Sequence, residues 1–202
     1  MPVLLLASEN RGKWIEIQAL LKDLPIELKT PADLGMSLKV VEDGATYVEN
    51  AAIKARAFSE ASGLVCLADD SGLEVDALDG KPGLFSARFA AREGATDADR
   101  RRYLLERLQG RPRPWTAHFH CTVAISTPDG DLRFSEGNCP GEIIPEERGT
   151  GGFGYDPIFL IPELGKTMAE LPMEEKNRRS HRALAVIAAR PVLREMFGIS
   201  LG

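Results

Sequence analysis

The sequence predicts an α/β fold with a mixed β-sheet flanked by helices, and three observations carry that reading. Short apolar runs of strand length, residues 3–7 and 64–68, each open into a polar loop. Residues 46–62 keep Val48, Ala51, Ala52, Ala55, Ser59 and Ser62 along one helical face, small enough to pack closely on a sheet. Residues 116–127 and 132–137 flank the turn Pro128-Asp129-Gly130 and form an antiparallel hairpin, so the sheet is mixed rather than purely parallel. With 202 residues, 44% of them hydrophobic, the chain can build one large domain or two small lobes.

In chain order, residues 3–7 form the first buried strand. Ser8-Glu9-Asn10-Arg11-Gly12-Lys13 follows, then a helix to about Asp23 with Asn10 as its N-cap and Trp14, Ile17, Leu21 and Leu24 facing the core. Strand, polar loop, helix is a layout that aims backbone N–H groups at an anion, and Arg11 and Lys13 add positive charge. It is not a Walker A loop, because the glycines and the Gly-Lys-Ser/Thr ending are missing. A capped helix with solvated basic residues explains the same pattern. Residues 26–28 suit a short strand, and residues 30–41 an irregular connector. Glu42-Asp43-Gly44 is an acidic turn. Thr46-x-x-Glu49 reads as a capping box opening a long helix, and Gly63 as the glycine that ends it. Asn50 lies beside the packed face and faces either the core or a ligand. Lys54 and Arg56 lie off that face, toward solvent.

The run 64–68 then ends in Asp69-Asp70-Ser71-Gly72. Neither acid can be buried unpaired without a large penalty, and adjacent carboxylates repel. A polar turn at a strand end accounts for this; so does a hard divalent cation, which takes one or two carboxylates together with substrate phosphates. Residues 73–78 alternate as an extended segment. Lys81-Pro82-Gly83 is a turn, and Arg88 beyond it suits an ion pair or a phosphate. Thr96-x-x-Asp99 opens a helix to about Leu108. The Pro/Arg-rich link near residues 110–115 is the best candidate for a lobe boundary within a single domain. His118 and His120 share a strand face with no third ligand in view, which favours a polar sheet surface. Gly149-Thr150-Gly151-Gly152-Phe153-Gly154-Tyr155-Asp156-Pro157 is a loop whose backbone can approach a ligand while an aromatic ring stacks on it. Residues 158–161 suit a strand. Residues 174–182 are highly charged, and Ser180 can cap a last helix over residues 183–197, kinked near Pro191.

The net charge of −5 argues against a nucleic-acid-coating protein. Three cysteines, Cys66, Cys121 and Cys139, form no CxxC pair, which fits a reducing cytoplasm, and Cys66 and Cys121 sit inside apolar runs as core residues. The N-terminal apolar run is too short for a signal peptide, and no stretch is long enough to span a membrane.

Six collinear segments together resemble the Ham1/RdgB-like family, the noncanonical purine nucleoside triphosphate pyrophosphatases (ITPase; XTP/dITP diphosphatase). They are Ala7-Ser8-x-Asn10-x-Gly12-Lys13, Glu49-Asn50-Ala51-x-x-Lys54-Ala55, Ala68-Asp69-Asp70-Ser71-Gly72-Leu73, Pro82-Gly83-x-x-Ser86-Ala87-Arg88, Gly151-Gly152-Phe153-Gly154-Tyr155-Asp156-Pro157-x-Phe159 and Ser180-His181-Arg182. One departure is Ser8-Glu9-Asn10, where the family often carries Thr-Gly-Asn. Glu9 adds a negative charge beside the phosphate site that the resemblance implies, so it must point away or into solvent, or affinity suffers.

The resemblance implies hydrolysis of ITP, dITP and XTP to the monophosphate and pyrophosphate. It also implies an elongated mixed sheet, two lobes with the active-site cleft between them, and a homodimer. Asp70 would be the proton acceptor and a ligand of Mg²⁺ or Mn²⁺, joined by Glu42 with Asp69 nearby. Ser8, Asn10, Lys13 and Ser71, within a binding segment that includes Glu9, Arg11 and Gly12, would hold the triphosphate. Phe153 would stack on the base, with Gly154, Tyr155 and Asp156 completing that wall. Lys176, His181 and Arg182 would read the purine edge, donating to the C6 carbonyl of hypoxanthine and xanthine, where adenine offers a donor instead. Guanine shares that carbonyl and must be rejected through its 2-amino group. Two rivals stand beside this reading: a general nucleoside triphosphate pyrophosphatase acting on standard or modified pyrimidines, and a nucleotide sensor that binds without cleaving.

Overall fold

The computed structural model of the chain describes residues 1–90 and 92–200. Its strands are β1 (Val3–Leu6), β2 (Glu27–Lys29), β3 (Val65–Val75), β4 (Pro82–Gly83), β5 (Trp115–Ser126), β6 (Leu132–Ile143), β7 (Phe159–Ile161) and β8 (Lys166–Thr167). They join in one mixed sheet of order β2-β1-β3-β5-β6-β7-β8, with β4 paired to β3. β1 is parallel to both β2 and β3, while β3–β4, β6–β7 and β7–β8 are antiparallel. The helices are α1 (Arg11–Leu21), α2 (Tyr47–Ser62), α3 (Asp97–Leu108), α4 (Met173–Arg179) and α5 (His181–Met196). The mixed α/β architecture is the one that the hairpin and the strand–loop–helix pattern predict.

The chain divides into two compact units. The first comprises Met1–Asp70, Cys121–Gly137 and the described residues from Arg182 onward; the second comprises Ser71–His120 and Asn138–His181. The Pro/Arg-rich link at 110–114 lies inside the second unit.

In the first unit, side-chain alternation along β1, β3 and β5 sends successive residues to opposite faces. Leu4, Leu6, Leu67, Cys121, Val123 and Ile125 pack with Ile17 and Leu20 of α1 and Val186 and Leu193 of α5. Leu5, Cys66, Ala68 and Ala124 pack with Ala51, Ala55 and Phe58 of α2. The small residues of α2 let it lie close, as its pattern predicts. Asn10 caps α1 by accepting from Lys13 N, and Gly63 ends α2 at φ +69. Glu49 departs from the predicted box: Thr46 accepts from Glu49 N, but the Glu49 carboxylate reaches back to Ala45 N rather than Thr46 N.

In the second unit, Leu73, Val75, Leu104, Leu108, Phe119, Tyr155, Ile158 and Phe159 form the core. Here the predicted capping box is complete, with Thr96 and Asp99 exchanging hydrogen bonds at the start of α3. β6 runs six residues past the predicted end because its second half pairs with β7, Glu142 against Leu160 and Ile143 against Phe159. Gly141 sits where a Cβ would come within 2.5 Å of the Phe159 ring, so the strand needs a glycine there. The charged run around residues 174–179 is the helix α4, and α5 starts two residues earlier than the sequence suggests, at His181. All three cysteines are free and buried; burial pushes the Cys66 thiol up to about 12 and that of Cys139 to about 11, which leaves them unreactive. His118 meets Glu74 and His120 meets Asn138, the polar sheet surface expected of them.

Candidate active site

The acidic pair does not end a strand. β3 continues through Asp69-Asp70-Ser71-Gly72 to Val75, so Asp69 and Asp70 project from opposite faces of the sheet. That single fact separates two residues that the sequence places together.

Asp69 follows Leu67 onto the α1/α5 face and is 1% exposed. Its Oδ2 accepts from Lys13 Nζ at 2.9 Å and Arg182 Nε at 3.2 Å. Arg182, 2% exposed, also donates Nη1 to Glu16 Oε2 at 2.6 Å. Burial alone would push the Asp69 carboxyl up, but the charges of Lys13, Arg182 and Lys54 overcome it and hold it well below the usual carboxylate range. Asp69 is thus the anion of a buried ion network, and Arg182 is a cation of that network, engaged by Asp69 and Glu16.

Asp70 shares its face with Cys66 and Ala68 and therefore looks toward α2. Asn50 Nδ2 donates to Asp70 Oδ2 at 3.1 Å. Burial raises the Asp70 carboxyl above its ordinary 3.8, the Asn50 hydrogen bond, Lys54 and Lys13 oppose that, and the negative charge of Glu42 adds to the rise. Glu42, half-buried, is fixed by Lys54 Nζ at 2.8 Å, and the same ammonium donates to the Asp69 carbonyl oxygen at 3.1 Å. Lys54, which the sequence sends to solvent, instead bridges Glu42 and the β3 backbone. Its spacing of four from Asn50 was the available signal, since residues four apart share a helix face.

The loop before α1 is built by its own polar atoms. Asn10 N donates to Ser8 Oγ at 3.2 Å and Lys13 N to Asn10 Oδ1 at 3.1 Å. Ser8, Gly12 and Lys13 are half-buried, Arg11 is exposed, and Glu9 points to solvent as its charge requires.

In the second unit, Phe153, Gly154, Tyr155 and Asp156 do three different jobs. Lys176 Nζ binds Asp156 Oδ2 at 2.7 Å, both side chains being almost fully buried. Asp156 Oδ2 also accepts from Phe153 N at 2.9 Å, and Lys176 Nζ lies 5.2 Å from the Phe153 ring centroid, a cation–π contact. The pair therefore holds the Phe153 loop in shape. Gly152, at φ +71, lies so close to the Asp156 carboxylate that no side chain fits there. Gly154 N donates to Asp97 Oδ2, and its carbonyl accepts from Arg101. Tyr155 is a core residue whose hydroxyl donates to the Ser86 carbonyl at 2.9 Å, not part of an open wall. The ring of His181 stacks on Phe119 at 4.6 Å and 14°. Ser71, next to Asp70 on β3, is half-buried, and Arg88 lies over the exposed Phe85 ring.

The Ham1 family model matches residues 4–192. This chain belongs to the Ham1 family. A dITP/XTP pyrophosphatase of Desulfotalea psychrophila is 48% identical over 191 residues, 94% of this chain and 85% of that protein. One of Geobacter sulfurreducens is 48% identical over 187 residues, 92% and 94% of the two chains. The structure of a HAM1 protein from Coxiella burnetii superposes with a TM-score of 0.87 at 42% identity, covering 96% of this chain and all of that one.

In this Ham1 chain, no three His, Cys, Asp or Glu side chains converge into a protein-only metal cage among the described residues. The donor set that is present fits a different kind of site. Two carboxylates, Glu42 and Asp70, lie close enough for the charge of one to be felt by the other. A hard cation cancels that repulsion and completes its shell with substrate phosphates, as Mg²⁺ commonly does.

Proposed function

We propose that the chain is a divalent-metal-dependent pyrophosphatase of noncanonical purine nucleoside triphosphates, converting dITP, ITP and XTP to the monophosphate and pyrophosphate. The observation that carries this reading is the coupled pair Glu42 and Asp70, each fixed by a polar side chain of α2. Two acids held by one face of α2, Asp70 by Asn50 and Glu42 by Lys54, are equipment for charge neutralisation at phosphate. The relatives named dITP/XTP pyrophosphatase supply the substrate class.

Glu42 and Asp70 would hold Mg²⁺, or Mn²⁺ in its place, and the cation would supply charge neutralisation at the phosphate oxygens. Asp70 takes the proton of the attacking water. Lys13 neutralises phosphate charge from the start of α1, where Ser8, Asn10, Arg11 and Gly12 supply backbone and hydroxyl donors and Glu9 stays in solvent. Ser71, the next residue of β3, contributes a hydroxyl donor. An ammonium has three donors, so Lys13 can serve Asp69 and a phosphate together.

Phe153 is the stacking ring, and Lys176 and Asp156 fix it. His181, oriented by Phe119, donates to the C6 carbonyl. Phe153→Ala is expected to raise KM for dITP about tenfold or more while leaving kcat within a few-fold, because base–aromatic stacking contributes roughly 1–3 kcal/mol. Steady-state kinetics at saturating Mg²⁺ check this; an unchanged KM would remove Phe153 from the base site. A second copy of the chain is the further partner that the family resemblance implies, and a reducing cytoplasm the setting that the free cysteines support. No helix among the described residues is long and apolar enough to cross a membrane.

The decisive experiment is pyrophosphate release from dITP and dGTP, side by side, with Mg²⁺ and with EDTA. Fast, metal-dependent release from dITP and little from dGTP is expected. Equal rates would keep the carboxylate chemistry and discard the base specificity. Binding of dITP without release would leave a sensor.

A further inference from the structure

We propose that Asn50 is a positioning residue that sets the spacing between Glu42 and Asp70. The inference rests on reading these two carboxylates as the metal pair. Asn50 is 3% exposed on the first turn of α2. Its Oδ1 accepts from Gly44 N at 2.8 Å, and its Nδ2 donates to Asp70 Oδ2 at 3.1 Å. A backbone N–H can only donate, so the amide oxygen must face Gly44 and the amide N–H₂ must face the carboxylate. One rigid planar group thus joins β3 to the turn that bears Glu42, two residues from Gly44.

That turn has no strand or helix of its own to hold it; residues 37–44 lack regular structure. It is fastened to α2 at two points one turn apart, Gly44 on Asn50 and Glu42 on Lys54. Gly44 is the independent witness. A Cβ there would lie 2.7 Å from Glu49 Cβ and 2.8 Å from Asn50 Oδ1, so only glycine allows this approach. Asn50 touches neither water nor phosphate in this role. It acts through the carboxylates, much as hydrogen-bond partners behind a metal ligand fix that ligand's orientation.

The test uses the full-length protein and two readouts: Mn²⁺ binding to the protein alone, followed by electron paramagnetic resonance, and the Mg²⁺ concentration giving half-maximal pyrophosphate release from dITP. Asn50→Leu keeps the packing volume and removes both hydrogen bonds. It is expected to weaken Mn²⁺ binding and raise half-activating Mg²⁺ by about 10–100-fold. KM for dITP at saturating Mg²⁺ should stay near wild type, a split that a general loss of structure does not produce. Gly44→Ala disturbs the same link from the other end and should reproduce the effect. The double variant should be no worse than the worse single one, since both remove one connection.

A folded Asn50→Leu protein with wild-type Mn²⁺ affinity overturns the inference, as do additive single variants and a wild type that binds no Mn²⁺. If wild type binds Mn²⁺ yet releases no pyrophosphate from dITP, the proposed reaction fails while the Mn²⁺ comparison still decides the role of Asn50.

Discussion

Asp70→Asn is expected to lower kcat for dITP by about 10²–10⁴-fold, the range for removing a general base, with the metal contribution pushing toward the upper end. The fold should survive unharmed. An amide at position 70 still offers an oxygen to Asn50 Nδ2, and it fills the same volume. It also relieves a strain specific to this site. Burial and the charge of Glu42 raise the Asp70 carboxyl above 3.8, so the ionised form is disfavoured in the folded chain. A raised carboxylate binds its proton more tightly folded than unfolded, so its contribution to stability falls as pH rises through 3.8 and above. At neutral pH Asp70→Asn should therefore hold or raise Tm while abolishing turnover, and the Tm difference from wild type should shrink as pH falls toward 4. Thermal unfolding at several pH values, beside pyrophosphate release, measures both halves. A variant with near-wild-type kcat would remove Asp70 from the role of base. A collapse of Tm with activity would leave its role structural.

The parts of this site that were legible in the sequence are those set by local rules. The loop before α1, the cap at Asn10, the start and end of α2 and the glycine-rich Phe153 loop all follow from short-range chemistry, and they lie where the pattern puts them. What stayed hidden depends on faces and on distant partners. Asp69 and Asp70 looked like a pair because Ser71-Gly72 resembles the end of a strand. With β3 continuous, a period of two sends them apart. Lys54 looked solvated because nothing near it in sequence explains a buried cation, yet its partners Glu42 and the Asp69 carbonyl come from a turn and a strand. Glu16 breaks the apolar stripe of α1 beside Ile17, a signal that was there to read. Its partner, Arg182, is 166 residues away. Arg182 itself was masked by a run of charged neighbours, most of which are indeed solvated. The family motif marks Ser180-His181-Arg182 as important without distinguishing a ligand contact from a buried support.

That distinction gives the second large effect. Arg182→Met keeps a long apolar stem but removes the charge shared by Asp69 and Glu16. Removing one partner from a buried ion network is strongly destabilising, about 3–5 kcal/mol, because the remaining charge has lost its compensation. Asp69 is especially exposed to this, since its Oδ1 is buried without a hydrogen bond and its cations all act through Oδ2. For a chain of this size the loss corresponds to a fall in Tm of roughly 10 °C. The sign of the pH dependence follows from Asp69. Its folded pKa is depressed, so its stabilisation is present above the unfolded value of 3.8 and is lost as pH falls below it. Without Arg182 that depression is smaller, so wild type and variant should differ most near pH 7 and converge in acid. Thermal unfolding at pH 7 and below pH 4 measures this, with kcat/KM for dITP and dGTP recorded at 20 °C where both proteins are folded. If Arg182 supports the sheet from within, Tm drops and the dITP/dGTP preference holds. If Arg182 instead reads the purine edge, Tm is kept and the preference collapses. The ion network on the Asp69 face then has to be redrawn without it.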